Sequence, residues 1–450
     1  MVTIVDEHRF HSFMRLLVIA TGIGAFMDLF DSVASASAPW SIIPGLHLTI
    51  TDFSFAISIL YVGGIFGALS FGWLSDVIGR RGTFILTLAI VAVGELILGF
   101  LVQNYSELIA ARLMVGFGVG ADFANGPTYL NEFADKARRG SYQFMWGVMS
   151  GLGGITIGIL AYLMFPLGIN EWRYLFLVGA IPCFIGIALR LALPDTPRFD
   201  AVRKNDIEKA RRTMMSIGLD PAAVTTFKQP ELGVRSKFDM MKPYILRTTI
   251  PLFLIAMFIN IPLTSIGLLS TLYFGTLHLK VPYTALFGLI AFNIPITLGA
   301  GIGSGLIDKI GRFKMLLISS GAGAVGVILM GLLAQPSTVY FLVLAEALSA
   351  LLIWFGTPVI YHIANELYPT AIRGTGEGIT VTGTRVAGLF GPFGSTLVLV
   401  ASGHVLADLF YYNAIFLVLM FFITLLWLGR KIETTNRELE DISDGFLRRN

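Results

Sequence analysis

Twelve apolar stretches recur along this 450-residue chain. Each is long enough to cross the roughly 30 Å hydrocarbon core of a bilayer as a helix of about 20 residues. They fall at approximately 15–39, 53–75, 83–102, 107–130, 142–166 and 173–193, and again at 247–275, 283–307, 315–334, 338–363, 376–401 and 408–429. Short polar turns separate them. With 55% hydrophobic and 14% charged residues, the chain cannot clothe such a quantity of apolar surface in a polar shell, which excludes an ordinary water-soluble domain. The expectation is an all-α membrane protein with twelve transmembrane helices. The first run, from near Phe13 to about Pro39, is too long for a signal-peptide core and reads as the first helix. The single cysteine, Cys183, precludes an internal disulfide and lies in an apolar stretch as a small buried residue would.

One long polar segment, 194–246, divides the chain into an N-terminal six-helix bundle, 1–193, and a C-terminal one, 247–429, followed by a tail, 430–450. The segment is rich in Lys and Arg and contains a short amphipathic helix, Ile207 to Ile217. Lys and Arg beside short loops are retained in the cytoplasm. With both termini inside, all but four of the 32 Lys and Arg fall on the cytoplasmic side; Arg173 and Lys280 fall outside, and Arg112 and Arg385 lie within spans. The reading is a multi-pass protein of the plasma membrane with cytoplasmic termini and linker.

The two halves repeat each other. Asp76-Val77-Ile78-Gly79-Arg80 after span 2 is answered by Asp308-Lys309-Ile310-Gly311-Arg312 after span 8, at an offset of 232. Glu132 and Arg139-Gly140 after span 4 are answered by Glu366 and Arg373-Gly374 after span 10, at an offset of 234. Pro194-Asp195-Thr196-Pro197-Arg198 and Ile432-Glu433-Thr434-Thr435-Asn436 follow spans 6 and 12. Any one of these is an ordinary polar turn, but three in register mark parallel halves.

Gly72 to Arg81 resembles the signature loop of the major facilitator superfamily. Pro194 to Arg198, Glu366-Leu367-Tyr368-Pro369-Thr370 running on to Arg373-Gly374, and Glu433 to Ile442 resemble marks of its sugar and metabolite branch. The resemblance covers essentially the whole chain. It implies two pseudo-symmetric six-helix bundles, a central cavity opened alternately to each side, and cytoplasmic charge clusters that latch the inner face shut.

Ionisable residues inside the spans are the sharpest functional hints, because an unpaired charge in hydrocarbon costs several kcal/mol. Asp28 and Asp31 share one face of span 1, and Asp122 lies in span 4; carboxylates facing one cavity could take up and release a proton. Glu95 in span 3 and Glu346 in span 10 read as helix-packing acids. Asp28-Leu29-Phe30-Asp31 resembles the paired acids in helix 1 of proton symporters for aromatic acids and phosphate, and Gly118 to Phe123 with Glu132 is similar to helix 4 of phosphate transporters. The match stops at span 7, which offers only Asn260 where phosphate carriers of that group have an acid. Between Met257 and Phe274 it also lacks the paired glutamines of hexose carriers. Arg385, near mid-span in span 11, resembles the basic residue of organic-anion and phosphate symporters. It suits a two-pronged contact with a carboxylate or phosphate, or a structural pair with an acid of the other bundle. Arg112 reads as structural.

Gly116 to Gly120 and Gly299 to Gly305, inside apolar spans, serve close helix approach. No hydrolase, metalloprotease or nucleotide-binding motif occurs and the six histidines are scattered, so no enzyme, no cofactor and no metal is expected. The leading expectation is a proton-coupled symporter of a small organic metabolite or anion, with Asp28, Asp31 and Asp122 coupling protons and Arg385, Asp31 and Asp122 binding cargo. The alternatives are a proton-coupled exporter of amphipathic or cationic compounds and, further off, a non-transporting nutrient receptor. Expected partners are the small-molecule substrate, protons and the lipid bilayer, with no nucleic acid, and the chain working as a monomer. Asp76, Gly79, Arg80, Glu132 and Arg139 in one half, with Asp308, Gly311, Arg312, Glu366 and Arg373 in the other, are the expected gate, built of exposed pairs of about 0 to 1 kcal/mol each.

Overall fold

The computed structural model describes residues 4–134, 139–202, 204–226, 237–276, 288–369, 372–403 and 405–428. The tail pattern at Glu433 to Ile442 therefore lies outside the described residues. Twelve long helices occur among those described. In the first half they are α1 (Glu7–Ser37), α2 (Ile50–Ile78), α3 (Arg80–Phe100), α4 (Tyr105–Phe133), α5 (Arg139–Met164) and α6 (Glu171–Leu191). In the second they are α7 (Ile250–Thr276), α8 (Ile294–Ile310), α9 (Arg312–Leu332), α10 (Val339–Leu367), α11 (Arg373–Ala401) and α12 (Leu406–Phe422).

Local chemistry sets the helix starts. Asp6 accepts the amide of Arg9 ahead of α1, Thr49 and Asp52 form a reciprocal capping box on α2, and Asn104 accepts the amide of Glu107 on α4. Between α2 and α3 the chain turns on one residue, Gly79, with φ 109° and ψ 164°; between α8 and α9 it turns on Gly311, with φ 91° and ψ 158°. A side chain at either position would be strained, and the matching angles give the sequence repeat a common backbone form.

The apolar core divides as the chain does. One cluster joins α1 to α6, with Phe30, Leu88, Val115 and Phe176 buried at its centre; a second joins residues 241 to 420, among them Ile255, Met315, Val359 and Leu417. A third holds Phe10, Met14, Phe123 and Trp146 together with Tyr361 and Val381 of the second half. The linker helix Ile207–Ser216 buries Ala210 and Met214 and docks beside the start of α1. In α4, the missing Cβ atoms of Gly116 and Gly120 leave its backbone against Leu60 and Gly64 of α2, the close approach expected of that run. Gly299 likewise sits against Leu351, but Gly301 and Gly305 face open space, so close packing accounts for only part of the run from 299 to 305.

Several helices outrun their apolar stretches. α4 continues to Phe133 and α10 to Leu367, carrying Glu132 and Glu366 within helix and burying both. They can extend because each acid has a basic partner, which offsets the cost of removing it from water.

Candidate functional site

Three buried guanidinium groups, of Arg385, Arg112 and Arg190, organise the interior of the spans. Arg385, near the middle of α11, meets Asp28 of α1 at 2.5 Å from Nη1 to Oδ1, joining the two halves. Its guanidinium carbon lies 4.7 Å from the ring centroid of Phe123. Phe123, Trp146 and Tyr361 pack edge to face beside it, with centroids 4.8 to 5.9 Å apart. Trp146 is oriented by donating its indole N–H to the carbonyl of Thr21, 3.1 Å away. Nε and Nη2 of Arg385 are buried and meet no acceptor among the described residues. These two donors are one edge of the guanidinium fork, the geometry that grips both oxygens of a carboxylate.

Asp31, three residues further along α1, points elsewhere. Both its oxygens accept from Nη1 of Arg112 on α4, at 2.6 and 2.8 Å, and both side chains are fully buried. Arg112 also has buried Nε and Nη2 atoms without an acceptor.

Asp122 does not join these acids. It forms a two-pronged pair with Arg190 of α6, at 2.5 and 2.9 Å, and accepts the hydroxyl of Thr87 at 2.6 Å. Arg190 spends its remaining donors on the carbonyls of Ala20 and Phe84. Both oxygens of Asp122 are thus engaged within the first bundle, which sets it with Arg190 and Thr87 and not with Asp28 or Asp31. The expected convergence of three acids on one cavity is likewise replaced by three separate ion pairs. Arg190, at the end of the sixth apolar stretch and counted by charge with the linker, is buried in the first bundle.

At the linker end of the bundles, the repeat appears as chemistry. Arg80 bridges Asp76 at 2.7 Å and Glu132 at 3.1 Å; Arg312 bridges Asp308 at 3.1 Å and Glu366 at 3.3 Å. Each aspartate then reaches across to the other half. Asp76 accepts the amides of Gly374 and Thr375, at 3.0 and 2.9 Å, in the first turn of α11. Asp308 accepts the amide and hydroxyl of Ser141, at 3.2 and 3.3 Å, in the first turn of α5. Both place a carboxylate at the positive end of a helix dipole. Arg373 adds a contact to Glu132 at 3.4 Å, and Asn131 donates to the carbonyl of Asn365 at 3.2 Å. The side chain of Arg139 lies outside the described residues. These groups are not the exposed pairs expected: Asp76, Arg80, Glu132, Arg312, Glu366 and Arg373 are all buried.

The family model described as "Sugar (and other) transporter" matches residues 24–446. The chain belongs to this family. It is accordingly a multi-pass membrane transporter with the major facilitator fold, and not an enzyme. Relatives include the probable metabolite transport protein CsbC of Bacillus subtilis, 27% identical over 95% of this chain and 93% of its own length. The arabinose-proton symporter of the same organism is 25% identical over 98% of this chain and 97% of its own. Among solved structures, the proton:xylose symporter XylE bound to 6-bromo-6-deoxy-D-glucose aligns over 96% of this transporter and 99% of its own chain. The TM-score is 0.85 at 18% identity, a likeness of fold.

Proposed function

We propose that this transporter is a proton-coupled symporter of a small organic anion, working by alternating access in the plasma membrane with its linker and termini in the cytoplasm. The observation that carries the reading is the buried, unpartnered Nε/Nη2 edge of Arg385 beside Phe123, Trp146 and Tyr361. A cargo carboxylate would satisfy both donors at once, and the aromatic rings would receive its apolar body. A neutral sugar would offer this edge only uncharged acceptors, with Asp28 the sole counter-charge of Arg385 among the described residues. The coupling proton is placed at Asp31 against Arg112, three residues along α1 from Asp28, which competes with the cargo for the Arg385 guanidinium. A proton symporter of a sugar among the relatives supports the proton coupling in this reading and not the anion.

Purified protein in liposomes tests it. Uptake of benzoate, inorganic phosphate and xylose would be measured with an inward, an outward and no proton gradient. Benzoate accumulation driven only by the inward gradient is the expected result. Stimulation by the outward gradient would make the protein an exporter, and accumulation of xylose alone would remove the anion from the proposal.

The reciprocal contacts of Asp76 and Asp308 are proposed as the inner gate. Asp76→Asn leaves Arg80 paired with Glu132 but removes the charge facing the first turn of α11, and should shift the population toward the inward-open state by about tenfold or more, on the order of one charge-assisted hydrogen bond. Single cysteines along the cytoplasmic half of the cavity, in a Cys183→Ser background, should label faster. Labelling that stays level or slows would remove Asp76 from the gate.

A further inference from the structure

Glu95 of α3 is fully buried, and no N–H or O–H donor reaches either of its carboxyl oxygens among the described residues. Its Oε2 lies over Gly179 of α6, where a Cβ would crowd it. The ring of Phe30, the residue before Asp31, faces the same spot over Gly179, which sets the Glu95 carboxyl against α1 with Asp31 as its neighbouring acid. Two carboxyl groups can hydrogen-bond only if one holds a proton, because two carboxylates offer four acceptors and no donor. The charged and titratable groups around them are few. α1 contributes Asp28 and Asp31, α4 contributes Arg112, and α6 contributes Cys183 and Arg190, the last already neutralised by Asp122.

We infer that Asp31 and Glu95 form a carboxyl pair that holds one exchangeable proton against Arg112, so that the proton site is the pair and not Asp31 alone. With the proton present, one carboxylate and one guanidinium balance, and Glu95 donates to Asp31. When the proton returns to water, a second carboxylate appears, and the buried Nε and Nη2 atoms of Arg112 are the donors available to receive it. The pair thus has a satisfied arrangement in each state, which a lone Asp31–Arg112 pair would not: protonating that aspartate would strand the guanidinium. This deepens the proton-coupling reading above and rests on it for its place in transport, but the shared proton can be detected without cargo.

Infrared difference spectra of the lipid-reconstituted protein, stepped between acid and alkaline buffer, read carboxyl protonation directly. The wild type should show a titrating protonated-carboxyl band that disappears in Glu95→Gln, shifts in Glu95→Asp, and is lost in Asp31→Asn, where Glu95 becomes the ionised partner of Arg112. In liposomes, Glu95→Gln should lose proton-driven benzoate accumulation and its pH dependence while keeping benzoate exchange. Glu95→Asp should recover both in part, a rescue that a purely packing role would not produce. A band unchanged in Glu95→Gln and Asp31→Asn overturns the pair, whatever transport does. If Glu95→Gln does not fold, an unshifted band in Glu95→Asp and Asp31→Asn together has the same force. An intact pair signal alongside proton-independent transport would instead overturn the coupling reading and leave the pair standing as a protonated structural site.

Discussion

Arg385→Gln is expected to weaken binding of a carboxylate cargo by about 10²- to 10⁴-fold. Two charge-assisted hydrogen bonds would be lost, each contributing about 1.5 to 3 kcal/mol, and every 1.4 kcal/mol is a factor of about ten in affinity. Arg385→Lys should fall between, since an ammonium keeps the charge but cannot present two parallel donors. One complication has a built-in control. Removing Arg385 also leaves Asp28, part-buried and paired at 2.5 Å, without its partner. The double variant Asp28→Asn/Arg385→Gln removes both charges and should regain the stability that the single variant loses, yet still not bind the anion. Calorimetric titration with the carboxylate that accumulates in liposomes, beside thermal melting of each variant, separates the two effects. Affinity unchanged in Arg385→Gln would confine Arg385 to joining the bundles.

The features legible in the sequence were those fixed by position along the chain. Span number follows from apolar length. The repeat follows from polar turns that recur at one offset, and its glycines were readable because Gly79 and Gly311 must adopt a positive φ that other residues avoid. Pairing across helices was not legible, because it depends on the rotation of each helix about its axis. Asp28 and Asp31 share a face of α1 by count, yet one meets Arg385 and the other Arg112, since each acid follows its nearest guanidinium. Arg190 offered no signal at all: the end of an apolar stretch and the first charge of a linker look alike until α6 is packed against α1 and α3. Glu95 resembled a packing acid because its neighbour, Asp31, is 64 positions away. Hydropathy is least informative where function concentrates. α4 is not among the nine helices among the described residues that pass as spans by length and composition, and it is the helix that carries Arg112, Asp122, Asn125, Asn131 and Glu132.

Asp31→Asn is expected to abolish proton-driven accumulation while leaving the protein folded and still able to exchange cargo across the membrane. The amide has nearly the shape of the carboxylate, so it can accept from Nη1 of Arg112 through its one oxygen, but it cannot take up and release a proton. Truncation to Ala would be a poorer test, because it strands a fully buried guanidinium at a cost of about 3 to 5 kcal/mol and confuses folding with coupling. In the Asn variant Glu95 is left as the nearest acid to Arg112, and charge balance favours its ionisation. The guanidinium then has a permanent counter-ion, and the site no longer alternates between two proton states. One proton descending 100 mV makes about 2.3 kcal/mol available, enough for roughly fiftyfold accumulation at 1.4 kcal/mol per factor of ten. The variant should fall to the equilibrium ratio set by cargo alone. Parallel measurements in liposomes decide it: net uptake under an imposed proton gradient, and exchange of labelled for unlabelled cargo with no gradient. Loss of the first with retention of the second is the expected pair of results. Accumulation preserved in Asp31→Asn would move the coupling proton to the Asp28–Arg385 pair, where Asp28→Asn becomes the variant that must lose it.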